Sequence, residues 1–369
     1  MLLTSIASWR HSLHIIKPKI KRILFSTQVC KNLTLALLLA VGFNARAKTE
    51  LVVAADGSGQ FTSVQAAINA VPQNTSPTNW CTILIKPGIY QELIYVQREK
   101  HFVCLLGEDP EKTVLTYDLD ASMRGPDGKP ISTFRTPSTT IDADDFVAEN
   151  LTFQNSAGPK GQALAVRLDG NRIIFRNCRF LGWQDTIFCD RGRHYYTNCY
   201  VAGAVDFIFG GATEFYDHCH INCLGNGYIT AASTPADHPF GYVFSHCRIT
   251  GENPDVKTYL GRPWRAYASV TFLNTEMSGV VRPVGWDNWR DPAREKTAHY
   301  AEFNSTGPGA NPQGRAKWTR QLTKREAETI TLEEVLGGSD HWNPPAVVAQ
   351  LPVANFGPES THNLPAAKP

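Results

Sequence analysis

Short apolar runs such as Arg172-Ile-Ile-Phe-Arg176 and Tyr242-Val-Phe244 recur through the middle of the chain, with Gly, Asn and Asp between them. They are rich in β-branched and aromatic residues, which predicts strands and not helices. A tighter pattern, aromatic-x-(Asn/His)-Cys-x-apolar, organises them. It appears as Phe175-Arg-Asn-Cys178-Arg-Phe180, Tyr196-Thr-Asn-Cys199-Tyr-Val201, Tyr216-Asp-His-Cys219-His-Ile221 and Phe244-Ser-His-Cys247-Arg-Ile249. Weaker copies at Asn150-Leu-Thr-Phe153 and Phe272-Leu-Asn-Thr-Glu-Met277 flank the series, with spacings of about 27, 21, 20, 28 and 28 residues. A period of this length means a solenoid, each unit burying its apolar face against the next. The leucine ladder of leucine-rich repeats is missing, and no tryptophan-aspartate signature of propeller blades repeats along the chain. An all-β, single-stranded parallel β-helix is therefore predicted, in which equivalent residues of successive turns form ladders.

At the N-terminal end, Ser63-Val-Gln-Ala-Ala-Ile-Asn-Ala-Val71 has helical apolar spacing and stops at Pro72. It predicts a short capping helix over the open end of the stack, where bare strand edges would invite aggregation. Residues 119–137 are rich in Gly, Pro, Ser and Thr and predict a surface loop, whereas Thr323–Leu336 has helix-forming composition. The Pro/Ala-rich segment 346–369 is expected to be a poorly ordered tail.

Composition narrows the class. With 42% hydrophobic and 19% charged residues among 369, the chain is globular. Residues 1–47 hold seven Lys/Arg and no acid, while 48–369 hold 29 basic and 34 acidic residues. The body is thus mildly acidic and lacks the basic excess of a nucleic-acid binder. Leu33–Phe43 is apolar but about half a membrane span; it follows Lys17, Lys19, Lys21, Arg22 and Lys31 and precedes Ala45-Arg-Ala47. This describes a secretory signal peptide over 1–47, an uncleaved anchor being the alternative. A domain over 48–345 would then be secreted, into the periplasm or outside the cell, with no membrane span in its mature form.

Removal of Cys30 with the signal leaves eight of the nine cysteines in a compartment that permits disulfides. Cys178 and Cys247 read as small buried fillers of the ladder. Cys199 and Cys219 lie one short turn apart, within disulfide range, and are the expected pair if one bridge forms. No CxxC or clustered Cys/His spacing suggests a metal. His218, His220 and His246 in the ladder region read as satisfied or solvated side chains.

The period also places acids. Asp185 follows Cys178 by seven residues and Asp206 follows Cys199 by seven. Turns in register would make them stacked neighbours whose proton affinities split, leaving one acid and one anion. A nucleophile and a general acid need that arrangement. Asp206 sits in the apolar run Gly203-Ala-Val-Asp-Phe-Ile-Phe-Gly210, and Arg262, in Tyr259-Leu-Gly-Arg-Pro-Trp264, is a candidate counter-ion. A buried Asp–Arg pair that only fixes the loop would have the same spacing.

Six stretches jointly resemble the pectin methylesterase (pectinesterase) family of carbohydrate esterases. They are Gly88-Ile-Tyr-Gln-Glu92, Gly161-Gln-Ala-Leu-Ala-Val-Arg167, Gly182-Trp-Gln-Asp-Thr-Ile-Phe188, the Gly203–Gly210 and Tyr259–Trp264 segments, and Gly285-Trp286, all in family order. The resemblance implies a right-handed β-helix and hydrolysis of galacturonate C6 methyl esters in pectin. It makes Asp206 the nucleophile, Asp185 the proton donor to methanol and later the base, Gln184 and Gln162 the oxyanion donors, and Arg262 the group that positions Asp206. Trp264, Trp286, Phe188 and Phe209 would line the sugar cleft. Phe188 stands where the family often has Tyr, and Ala204 where it often has Thr. No metal or organic cofactor is implied, the partner is the polysaccharide, and a monomer is expected. Two rival readings are a glycoside hydrolase or lyase using the same carboxylates and a catalytically silent carbohydrate-binding β-helix.

Overall fold

The computed structural model describes residues 49–351; the proposed signal peptide lies outside the described residues, as does most of the proposed tail. Every strand pairing is parallel, within an 11-stranded sheet and a 13-stranded sheet. The chain visits the first sheet once per turn and the second twice. Its second sheet folds into two faces because Tyr200–Gly210 and His220–Ala232 run across both. The result is the predicted parallel β-helix.

The repeat is legible in its interior. Phe175, Tyr196, Tyr216, Phe244 and Phe272 pair in register on the first face. Their rings stack with centroids 4.2–5.1 Å apart. Each aromatic thus buries its faces against the turns above and below, the geometry that extended stacking of identical positions enforces. The tyrosine hydroxyls bury their polarity on Glu214, which accepts from Tyr196 and Tyr216 and pairs with His194 at 2.8 Å.

One residue turns each corner from the first face to the second. Asn150, Asn177, Asn198, His218, His246, Asn274 and Asn304 all have φ between 49° and 55°. Asparagine tolerates this left-handed backbone better than most residues, and the ladder is bonded where Asn177 donates to Asn150 at 2.6 Å and Asn304 to Asn274 at 2.8 Å.

The N-terminal end is covered, and so is the outward side of the first sheet. The helix Val64–Asn69 begins at Ser63, and Glu92 accepts from the Ser63 hydroxyl and from the Val64 and Gln65 amides. This satisfies backbone donors that a helix start leaves open. C-terminal helices Lys324–Glu328 and Leu332–Leu336 lie in the predicted helical segment. Val335, Leu336 and Trp342 cover the outward residues Val147, Ile174, Tyr195, Phe215 and Val243 of the first sheet.

Two expectations need correction. The tail does not begin at 346, because Pro344–Gln350 is a helix capped by Asn343 whose Val347 and Val348 join that outer apolar layer. Proline at its start costs nothing, since the first helical N–H has no partner to lose. Nor do Cys199 and Cys219 form a disulfide: both are free, as are the other six described cysteines. The parallel ladder points the thiols the same way, so each donates to backbone carbonyls, Cys199 to Phe175 and Thr197, Cys219 to Tyr196 and Asp217.

Candidate active site

Two consecutive turns build the site with the same device. Gly182 and Gly203 each precede an aspartate by three residues. A Cβ at Gly182 would fall 2.6 Å from the Thr186 hydroxyl, and one at Gly203 would fall 2.3 Å from Phe207 Cβ. Only glycine lets the chain fold back this closely over the side chain four residues on. Between them the backbone turns left-handed at Asp185 (φ 64°) and Asp206 (φ 49°), as it does at the corner residues.

The register then does what the sequence period requires. Gln184 bridges to Val205 and Ile187 pairs with Ile208, so Asp185 and Asp206 occupy equivalent places on adjacent turns. The Asp185 amide donates to the Val205 carbonyl at 3.0 Å and locks this alignment. Asp185 is 8% exposed and Asp206 6%, so each carboxyl is largely withdrawn from water without being sealed.

Their environments differ through one residue. Arg262 donates from Nε to Asp206 Oδ1 at 2.9 Å and from Nη2 to Oδ2 at 2.7 Å. This two-pronged pair is the strongest way to hold a carboxylate charged and oriented. Burial lifts the Asp206 pKa above the ordinary aspartate value, and the Arg262 guanidinium opposes that rise. Asp185 has no such partner: burial, then the neighbouring Asp206 charge, push it up to about 8. The arrangement therefore favours the acid form at Asp185 and an Arg262-paired carboxylate at Asp206.

Arg262 is itself clamped. Its Cζ lies 3.8 Å from the Tyr228 ring centroid and 3.9 Å from that of Trp289. A guanidinium between two aromatic faces cannot rotate out of plane, and such contacts are worth up to ~2 kcal/mol when desolvated. Trp289, at φ 60°, is set by an Asp287 side chain that accepts from its amide at 2.7 Å. Neither aromatic was legible as a site residue in the repeat. The Asp287-Asn288-Trp289 turn chemistry was the one local signal.

Gln162, Gln184 and Val205 form a bridge ladder across three turns, putting both half-buried glutamines beside the aspartates. Phe188 and Phe209 pair in register with centroids 4.8 Å apart, and Trp264 meets Phe209 edge-on at 5.7 Å. Leu164, Ala231 and Trp289 complete this apolar cluster. Phe134, exposed on the predicted 119–137 loop, closes over Phe188 at 4.9 Å and is a further wall residue that sequence reasoning missed.

Trp286 does not belong to this wall. It is 2% exposed in the interior, its ring 4.4 Å from Tyr300 and its indole N–H donating to Glu302 at 3.1 Å. It lies in a turn-rich segment outside the named strands, and its ring points inward while its backbone makes an isolated bridge to Gly261 beside Arg262. The expectation that it lines the cleft is overturned by that orientation.

The fold and the paired carboxylates define an ester-hydrolase class built on a parallel β-helix. The pectinesterase family model matches residues 50–339, and the chain belongs to that family. It is 43% identical over 289 residues to Pectinesterase 31 of Arabidopsis thaliana, covering 76% of this chain and 90% of that protein. The solved pectin methylesterase from carrot superposes with a TM-score of 0.75 at 30% identity, over 84% of this chain and 98% of its own. That of Erwinia chrysanthemi gives 0.69 at 28% identity, over 80% and 98%.

Proposed function

We propose that the chain hydrolyses the C6 methyl esters of galacturonate units in methyl-esterified pectin, releasing methanol through an acyl-enzyme on Asp206. The observation that carries this reading is the pair of register-matched aspartates, of which Arg262 touches one alone. Each Asp206 oxygen keeps a lone pair beyond its bond to Arg262, so one oxygen attacks the ester carbon while the guanidinium holds the carboxylate in place. Negative charge builds on the carbonyl oxygen, where the Gln184 and Gln162 amides donate without changing their own ionisation. As the C–O bond breaks, Asp185 passes its proton to the departing methoxide oxygen, and methanol leaves. Asp185, now a carboxylate, takes a proton from water, whose oxygen attacks the Asp206-linked carbonyl. The free galacturonate carboxyl departs, Asp206 returns as carboxylate and Asp185 as acid. Phe188, Phe209, Trp264 and Phe134 supply the apolar wall for the sugar ring.

The acid-free, basic N-terminus with its leucine run supports secretion, and among the described residues no helix is long and apolar enough to cross a membrane. We read the mature protein as a monomer acting outside the cytoplasm. N-terminal sequencing of secreted protein should find a start at about Lys48, and a start at or near Met1 would refute cleavage.

The deciding assay measures methanol and chain length together on methylated pectin. Methanol without chain shortening is expected; new reducing ends or unsaturated products would replace the esterase with a chain-cleaving enzyme. Asp206→Asn should abolish methanol release while circular dichroism stays unchanged, and retained turnover would remove Asp206 as nucleophile.

A further inference from the structure

At the corner where most turns carry asparagine, two adjacent turns carry histidine. His218 and His246 have φ of 53° and 54°, matching Asn198 (53°) and Asn274 (49°) on either side of them. The amide-to-amide bonds made elsewhere in this ladder are replaced by two parallel imidazoles, centroids 5.1 Å apart and 9° between planes. Both rings are tethered at Nδ1 by the residue just before them. His218 Nδ1 meets Asp217 Oδ1 at 2.7 Å, and His246 Nδ1 meets the Ser245 hydroxyl at 2.9 Å. The second Asp217 oxygen accepts from the Tyr195 hydroxyl at 3.1 Å, which fixes the carboxylate in turn.

Each imidazole is anchored at Nδ1 and keeps Nε2 as its other donor, on rings stacked 5.1 Å apart. The ligand atoms of His218, His246 and Asp217 all lie within 4.8 Å of one another. We propose that this corner is a binding site for a borderline divalent transition ion, Cu²⁺, Ni²⁺ or Zn²⁺. His218 and His246 ligate through Nε2, Asp217 orients His218 through its Nδ1–H, and water completes the shell. Imidazole donors select these ions over Mg²⁺ or Ca²⁺. A carboxylate behind a ligating histidine sets its tautomer and raises its basicity. Metal–nitrogen bonds of about 2.0–2.1 Å require the rings to tilt toward one another. The His218 side chain is 59% exposed, so nothing packed resists that tilt.

The site has no local motif because its ligands are separated by the length of one turn, from 218 to 246. Bound metal would pin two neighbouring turns together at a corner other than the one that bears the aspartates. It stabilises the folded chain by mass action, since the unfolded chain does not hold the two rings side by side.

The test is calorimetric titration and thermal unfolding of the full chain with CuCl₂, NiCl₂, ZnCl₂ and, as control, MgCl₂. One equivalent of a transition ion should bind and raise Tm, and Mg²⁺ should do neither. His218→Asn and His246→Asn each restore the residue that the ladder carries elsewhere, so both should fold and release methanol normally. Each should lose at least about tenfold in affinity together with the Tm rise. Cu²⁺ electron paramagnetic resonance should report two nitrogen ligands in the unaltered chain and one in either variant. Unchanged affinity in both variants, or a spectrum that neither variant alters, would overturn the site.

Discussion

The indole of Trp289 lies flat on the guanidinium of Arg262, 3.9 Å from ring centroid to Cζ, with Tyr228 on the opposite face. Trp289→Ala should free Arg262 to rotate and loosen its grip on Asp206. A loss of about 1.4 kcal/mol, within the range of desolvated cation–π contacts, corresponds to about tenfold in kcat. The acid limb of the pH–rate profile should also move to higher pH, because a less firmly paired Asp206 takes up a proton more readily. Trp289→Phe should recover most of both effects. An unchanged acid limb in Trp289→Ala would reduce Trp289 to packing.

The pair of aspartates predicts a bell-shaped dependence of kcat/KM on pH. Asp185 must be protonated to release methanol, so activity should fall as pH rises through about 8. On the acid side it should fall once Asp206 is protonated, at a pH above the ordinary aspartate range, since burial raises that group. Initial-rate profiles across both limbs check this directly.

Stability follows the same group in the opposite currency. Asp185 binds its proton more tightly in the folded chain than at the ordinary value of 3.8. Its contribution is therefore full below that value and lost as pH rises to about 8. Asp185→Asn should flatten the decline across this window. Urea midpoints at intervals through it would show parallel curves for both proteins if the group did not titrate there.

Gln184 sits between Gln162 and Val205 in the bridge ladder, next in sequence to Asp185. Removing one oxyanion donor costs roughly 10²- to 10³-fold in kcat, and Gln184→Ala should show that loss with KM little changed. A change confined to KM would assign the side chain to substrate binding alone.

With all eight described cysteines free, reductant should leave Tm unchanged, and thiol titration of the denatured, unreduced mature protein should find every one of them. A missing pair of thiols would restore a bridge.

The β-helix, the aromatic and cysteine ladders and the alignment of Asp185 with Asp206 were all readable from the sequence. In a parallel stack, distance along the chain converts directly into position on the next turn, so a period in residues becomes a register in space. Arg262 was readable too, because an apolar run around a carboxylate demands a counter-charge. What the period could not say is which way a side chain points where the ladder bends. Trp286 turned inward to Glu302 while Trp289, three residues on, turned out over Arg262. Cys199 and Cys219 were brought near one another yet aimed at carbonyls. Those outcomes depend on left-handed corner residues and on packing between segments far apart in sequence. The tertiary structure alone decided them, because side-chain direction at a corner is set by local backbone angles and neighbouring volume, neither of which a repeat spacing encodes.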